Sequence, residues 1–226
     1  MTVHPLDRPV WNALTTRQAY LARGPAHALR FDPDHGLFAA AADPADGSGL
    51  AALIPAGAAI ALVETRPIAP PPGTVVIQHR ALHQMIAERI APDAVDFAVT
   101  PLDDGDAAEM LALATRTEPG PFFRRTHQLG DFIGVKADGK LVAMAGERMK
   151  PTGFTEVSGV CTLPAHRGKG YAGGLMRITA RRIADRGETP FLHVWADNKN
   201  AIALYETLGY RLRRALTITI LAQAQA

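Results

Sequence analysis

The stretch VSGVCTLPAHRGKGYAGGLM, residues 157–176, decides the fold. It opens with an apolar, β-branched run over 157–163 that reads as a strand, and Pro164 ends it. Leu175, Ile178 and Ile183 then recur at helical spacing until Gly187 closes the run. Between strand and helix stands Arg167-Gly168-Lys169-Gly170-Tyr171-Ala172. Its two glycines let the backbone approach an anion closely and turn successive N–H groups toward it. The first turn of the helix adds unpaired donors and the positive end of the dipole, and Arg167 and Lys169 add charge. Such a loop suits a pyrophosphate. It is not the usual dinucleotide fingerprint, since Gly173 follows Gly170 too early, and it is not a Walker A loop, which needs Ser or Thr after Gly-Lys.

A second informative stretch is FLHVWADNKNAIALYETLGYRL, residues 191–212. Residues 191–195 read as a buried strand, and Asp197 or Asn198 is suited to cap the following helix. Ala201, Leu204, Tyr205 and Leu208 share one helical face, and Gly209 stands just past its end.

The first stretch resembles motif A of the GNAT superfamily of N-acetyltransferases, whose signature is Arg or Gln, two residues, Gly, one residue, then Gly or Ala. Arg167, Gly170 and Ala172 match its three fixed positions. The second stretch resembles the second acetyl-CoA contact region of the same family, at the separation the family requires. The resemblance implies an α/β (α+β) fold with a mixed, mostly antiparallel central sheet of about seven strands flanked by helices. It implies acetyl-CoA as acyl-donor cosubstrate, with no metal, and direct transfer of the acetyl group to a primary amine of a small molecule or peptide. Pantetheine would then lie along the backbone of Val160, Cys161 and Thr162, and the pyrophosphate on Arg167, Gly168, Lys169, Gly170, Tyr171 and Ala172. Asn198 would lie near the pantetheine and Tyr205 near the thioester sulfur, as general acid for the departing thiolate. A backbone N–H of Val160 or Cys161 would polarise the thioester oxygen.

Direct transfer needs no enzyme nucleophile, but the amine must lose a proton. Glu156 is the best carboxylate to receive it, because it lies on the motif A strand and alternates onto one face with Ser158, Val160 and Thr162. Glu147 is a weaker choice, and His193 and His127 are further titratable groups near the expected cleft. The plain reading of Glu156 is a strand glutamate with no chemical role. Cys161 has no histidine near it in sequence and reads as a buried structural thiol. The acceptor would be shaped by residues 115–129, where Glu118 is suited to an ammonium and Arg124 or Arg125 to a carboxylate.

The rest of the chain agrees with this reading. It has 226 residues, 47% of them hydrophobic, which is enough for a full core. A net charge of +2 without a basic stripe gives no reason to invoke nucleic acid or an anionic membrane. The single cysteine excludes an internal disulfide, and neither a secretion signal nor a spanning stretch is evident, so a cytoplasmic protein is expected. Residues 96–226 read as one complete domain. Strands are expected at 96–100, 132–136, 141–149, 154–163 and 213–221, and a helix at 107–116 follows the acidic cluster Asp103, Asp104 and Asp106. Residues 1–95 read as an accessory region, either a degenerate half of the same fold or an extension, with strands at 58–64 and 75–78 and a short helix at 81–90. The alternating last strand is suited to pairing either within the chain or across a homodimer. The rival functional reading is a non-catalytic sensor that binds acyl-CoA without turning it over.

Overall fold

The computed structural model describes residues 4–47, 49–90 and 95–224. Eleven strands run along these residues: β1 (Ala22–Arg23), β2 (Ala28–Phe31), β3 (Ala39–Ala41), β4 (Ala59–Glu64), β5 (Thr74–Ala87), β6 (Thr100–Leu102), β7 (Phe132–Ala137), β8 (Lys140–Glu147), β9 (Phe154–Thr162), β10 (Thr189–Trp195) and β11 (Tyr210–Gln223). Four α-helices accompany them: α1 (Pro9–Thr15), α2 (Ala107–Thr117), α3 (Tyr171–Asp185) and α4 (Lys199–Thr207). None of the described helices is long and apolar enough to cross a membrane.

Eight strands form one sheet in the order β4-β11-β5-β10-β9-β8-β7-β6, and β1, β2 and β3 form a small second sheet. Within the large sheet only β9 and β10 run parallel. A parallel pair needs a crossover, and α3 supplies it. The apolar face of α3, with Leu175, Met176, Ala180 and Ile183, is buried against the sheet. Gly174 is required at the contact, because a Cβ there would lie 2.5 Å from the Phe97 ring. A capping box of Asp103 and Asp106 sets the turn ahead of α2. The opposite face of the sheet is covered by α1 and the small sheet, through a core that includes Leu6, Val10, Phe31, Phe38, Val63, Phe191 and Ile218.

Several expectations change. The segment 81–90 does not form a helix: its residues to Ala87 complete β5, which pairs with β10 on one side and β11 on the other. Its composition suits a helix, but two full ladders and burial of 84–87 on both faces outweigh local propensity. The central sheet has eight strands rather than about seven, because residues 1–95 contribute β4 and β5. The break read at residue 95 therefore falls within one sheet. The first strand of the expected domain also lies later, at β6, after an irregular segment at 96–99. Finally, β11 pairs with β5 along its length and with β4 from Thr217 to Ala222, so this part of the strand, with Ile218 and Ile220, is paired inside the chain.

Candidate active site

The site begins where β9 and β10 part. They pair from Thr189 and Phe154 as far as Phe191 and Glu156, and beyond that point the two strands diverge. Residues past the fork, 157–160 on β9 and 192–195 on β10, line the opening rather than bond to each other. A β-bulge increases the divergence. On β8, Met144 pairs with Cys161 but Gly146 pairs with Ser158, so Gly159 and Val160 together oppose Ala145. Gly159 has φ +64°, which suits a bulge, and a Cβ there would lie 2.9 Å from the Phe132 ring.

The fork opens into a cavity of about 300 Å³ that reaches both faces of the sheet. On the helix face its wall is Val157, Met176, Leu192, Val194, Asn198 and Tyr205. On the other face it is Phe38, Val63, Leu82, Trp195, Ile218 and Ile220, with Arg148 and His193 at the junction. The residues 119–121 close one side.

The glycine loop stands at the C-terminal end of β9. Gly168 and Gly170 have φ +79° and +75°, and open space surrounds the Cβ position of each. Gly170 is the N-cap of α3 and no side chain caps this end, so the first-turn N–H groups face outward without an internal partner. Arg167 and Lys169 are exposed beside them. Tyr171 packs its ring edge-on against Phe97, 4.9 Å away, which leaves the loop its backbone rather than that ring. Asn198 caps α4, with its Oδ1 accepting from the Ala201 N–H at 3.1 Å. Tyr205 lies further along the same helix, and burial raises its hydroxyl above the ordinary tyrosine range.

Glu156 sits at the apex of the fork, fully buried, and it is not among the residues that wall the cavity. Its carboxylate accepts from Arg148 Nε and Nη2, each at 2.8 Å, and from His193 Nδ1 at 2.7 Å. Burial alone would raise its pKa, but the Arg148 guanidinium and the two sets of hydrogen bonds hold it well below the usual carboxylate range. Behind His193 the network continues. Gln84 donates to the Leu6 carbonyl at 2.9 Å and accepts from Arg213 at 2.9 Å, which fixes its amide orientation. Its remaining N–H points at His193 Nε2, 3.1 Å away, so Nε2 carries the lone pair and Nδ1 the proton. Arg213 in turn pairs with Asp7 at 2.7 Å.

The sequence-predicted residues thus separate into groups. Val160, Asn198 and Tyr205 meet at the cavity, and Arg167, Gly168, Lys169, Gly170 and Ala172 surround the outer loop. Glu156 lies next to the cavity but is buried and does not wall it. Cys161 directs its side chain into the core beside Met144, and burial pushes its thiol up to about 11; Thr162 sits just below the loop. Glu147 is buried between Lys150 and Arg186, and His127 is bound to Asp104, both away from the cavity. Arg124 pairs with Asp34. Sequence reasoning missed Arg148, Gln84 and Arg213, whose hydrogen-bond and ion-pair partners lie on other elements. It also missed the apolar wall from residues 37–82.

A family model described as FR47-like protein matches residues 133–218, from β7 to β11. A crystal structure from Novosphingobium aromaticivorans DSM 12444, of a protein assigned to the GNAT family as an acetyltransferase, is 49% identical. It aligns over 99% of this chain and 100% of that one, with a TM-score of 0.94. The chain belongs to the GNAT family. It is an acyltransferase enzyme of that family, built on the GNAT fold. A GCN5-related N-acetyltransferase from Kribbella flavida shares the fold at 18% identity, with a TM-score of 0.64 over 96% of each chain. A GCN5-related N-acetyltransferase-like protein from Streptococcus suis does so at 16% identity and TM-score 0.57, over 90% of this chain and 82% of that one. No curated protein matches the chain. Among the described residues no cluster of three or more ligating side chains is suited to a metal ion.

Proposed function

We propose that this GNAT enzyme transfers an acetyl group from acetyl-CoA to a primary amine by direct attack. The observation that carries the reading is the continuity of the uncapped, glycine-flanked start of α3 with the fork between β9 and β10. The donor fits these residues. Open backbone at Gly168 and Gly170, with Arg167 and Lys169 beside it, suits a pyrophosphate. The backbone of Val160, Cys161 and Thr162 and the side chain of Asn198 would receive the pantetheine arm.

Acetyl-CoA supplies an activated acyl carbon and a thiolate leaving group. The chain's own residues do the rest. The bulge at Gly159 and Val160 takes a backbone N–H out of the β8 ladder, and that donor would polarise the acyl oxygen. Tyr205, kept protonated by burial, would give its proton to the departing sulfur. Glu156 acts as a positioning residue: it holds Arg148 and His193 in place and stays ionised. The chain works in a reducing cytoplasm, where the unpaired Cys161 is stable, and residues 1–95 serve to build the acceptor side.

Calorimetric titration of acetyl-CoA into the wild type and a Gly170→Asp variant tests this, with thiol release measured over a panel of amines. The Asp carboxylate would occupy the anion site, so binding should vanish in a still-folded protein. Absence of binding by the wild type would overturn the reading. Binding without thiol release for any amine would favour the sensor.

A further inference from the structure

The cavity wall on the face away from α3 and α4 differs from its polar floor, and the difference bears on what the acceptor is. Resting on the acetyl-transfer reading, we propose that the acceptor is a small apolar monoamine, with an aromatic or branched aliphatic body, that enters in its uncharged form. The wall facing β5 and β11 is made by Phe38, Val63, Leu82, Trp195, Ile218 and Ile220. Among the described residues no Asp or Glu lines any part of the cavity. A second ammonium on the acceptor would therefore lie desolvated with no counter-charge, at a cost that excludes polyamines and aminated sugars of several charges.

The ionisable side chains that do face the acceptor are Arg148, His193 and Tyr205, from the β8–β9 connection, β10 and α4. None offers a free base. Arg148 is charge-balanced by Glu156, which lies behind it. The His193 lone pair is occupied by the Gln84 amide, and Gln84 is fixed by Arg213, which shares Asp7 with Arg214. Tyr205 is held protonated. The network thus leaves no unpaired carboxylate at the floor, and the apolar wall favours the uncharged amine over the ammonium. The balance is simple. The neutral amine forms the C–N bond as the C–S bond breaks, and the one proton its nitrogen loses passes to the thiolate through the Tyr205 hydroxyl, which gives one proton, receives one and ends unchanged. The proton that converts ammonium to amine is left in solvent before entry.

Size is limited too. About 300 Å³ must also hold the acyl end of the donor, at the low end of the roughly 300–1,000 Å³ of ligand sites. A single ring or a short branched chain fits what remains.

The test uses the full-length protein with 2-phenylethylamine, 3-methylbutylamine and spermidine, together with calorimetry of acetyl-CoA alone. The two apolar amines should exceed spermidine in kcat/KM by at least about 10-fold. Leu37→Trp, which extends into the cavity from a loop, should raise KM for 2-phenylethylamine by a similar factor and leave acetyl-CoA affinity unchanged. The pH at which kcat/KM levels off should be lower for a β-fluorinated phenylethylamine, the weaker base, than for its parent. Equal or better use of spermidine would overturn the inference. So would a common levelling pH for both phenylethylamines, since an enzyme base would then set it. Because acetyl-CoA binding is read separately, either failure leaves the acetyl-transfer reading standing.

Discussion

Replacing Glu156 by Gln isolates what the buried carboxylate does. Every polar neighbour of Glu156 is a donor: Arg148 Nε and Nη2, His193 Nδ1 and, more distantly, the Met149 N–H at 3.4 Å. A glutamine amide must therefore aim its NH2 at a donor whichever way it turns. Moving the His193 proton to Nε2 does not help, since it then meets the Gln84 N–H, and Gln84 is fixed by Arg213 and the Leu6 carbonyl. The variant also leaves the mostly buried Arg148 cation without its anion. Breaking one half of such a pair costs about 3–5 kcal/mol, or roughly 6–20 °C of melting temperature for a chain of this size. The pH dependence has a definite sign. The folded-state pKa of Glu156 is depressed below its ordinary 4.5, so its contribution is fully present above that value and is lost as pH falls below it. Urea unfolding of both proteins should show the full gap at neutral pH and a narrowing gap in acid. A loss under about 1 kcal/mol with activity abolished would refute the reasoning, because Glu156 would then be a direct base with an ordinary environment.

Tyr205→Phe should lower kcat by about 100-fold or more while changing acetyl-CoA affinity little, if the hydroxyl protonates the leaving thiolate; an unchanged kcat would remove Tyr205 from the mechanism. Cys161, with its thiol pushed up to about 11 and its side chain in the core, should resist iodoacetamide at neutral pH in the native protein and react only after denaturation, as mass spectrometry would register. Gly146→Ala would bring a Cβ to 2.3 Å from the Phe132 ring, and overpacking there should cost about 1–3 kcal/mol by chemical denaturation.

The parts of the site that were legible in the sequence are those whose physics is local. The loop from Arg167 to Ala172 declares itself because a backbone anion site needs glycines next to a helix start, and both lie within a few residues. Asn198 declares itself as a cap for the same reason. Glu156 was legible as a residue but not as an environment: its alternation on β9 says which face it takes, whereas its Arg148 and His193 partners come from a separate connection and a separate strand. The carboxylate read as a base stands among donors from Arg148 and His193 that favour its ionised form. The helix expected at 81–90 failed for a related reason. Leu82, Met85 and Ile86 satisfy a helical period, and only the ladders to β10 and β11 show that successive residues must face opposite sides of a sheet.

The position of β5 connects these two failures. By inserting between β10 and β11, it brings Leu82 to the cavity wall and Gln84 to His193, at alternate positions on the same face of the strand. The neighbouring strands add Val63 from β4 and Ile218 and Ile220 from β11 to that same wall. The segment before residue 95, which carries no cofactor motif, therefore supplies part of the apolar surface and the amide that occupies the histidine lone pair. The glycine loop and the forked strands lie within residues 157–212, where the motifs stand. The apolar cavity wall is divided between distant parts of the chain, and no contiguous stretch could reveal it, because β5 and β11 acquire a common wall only when they pair.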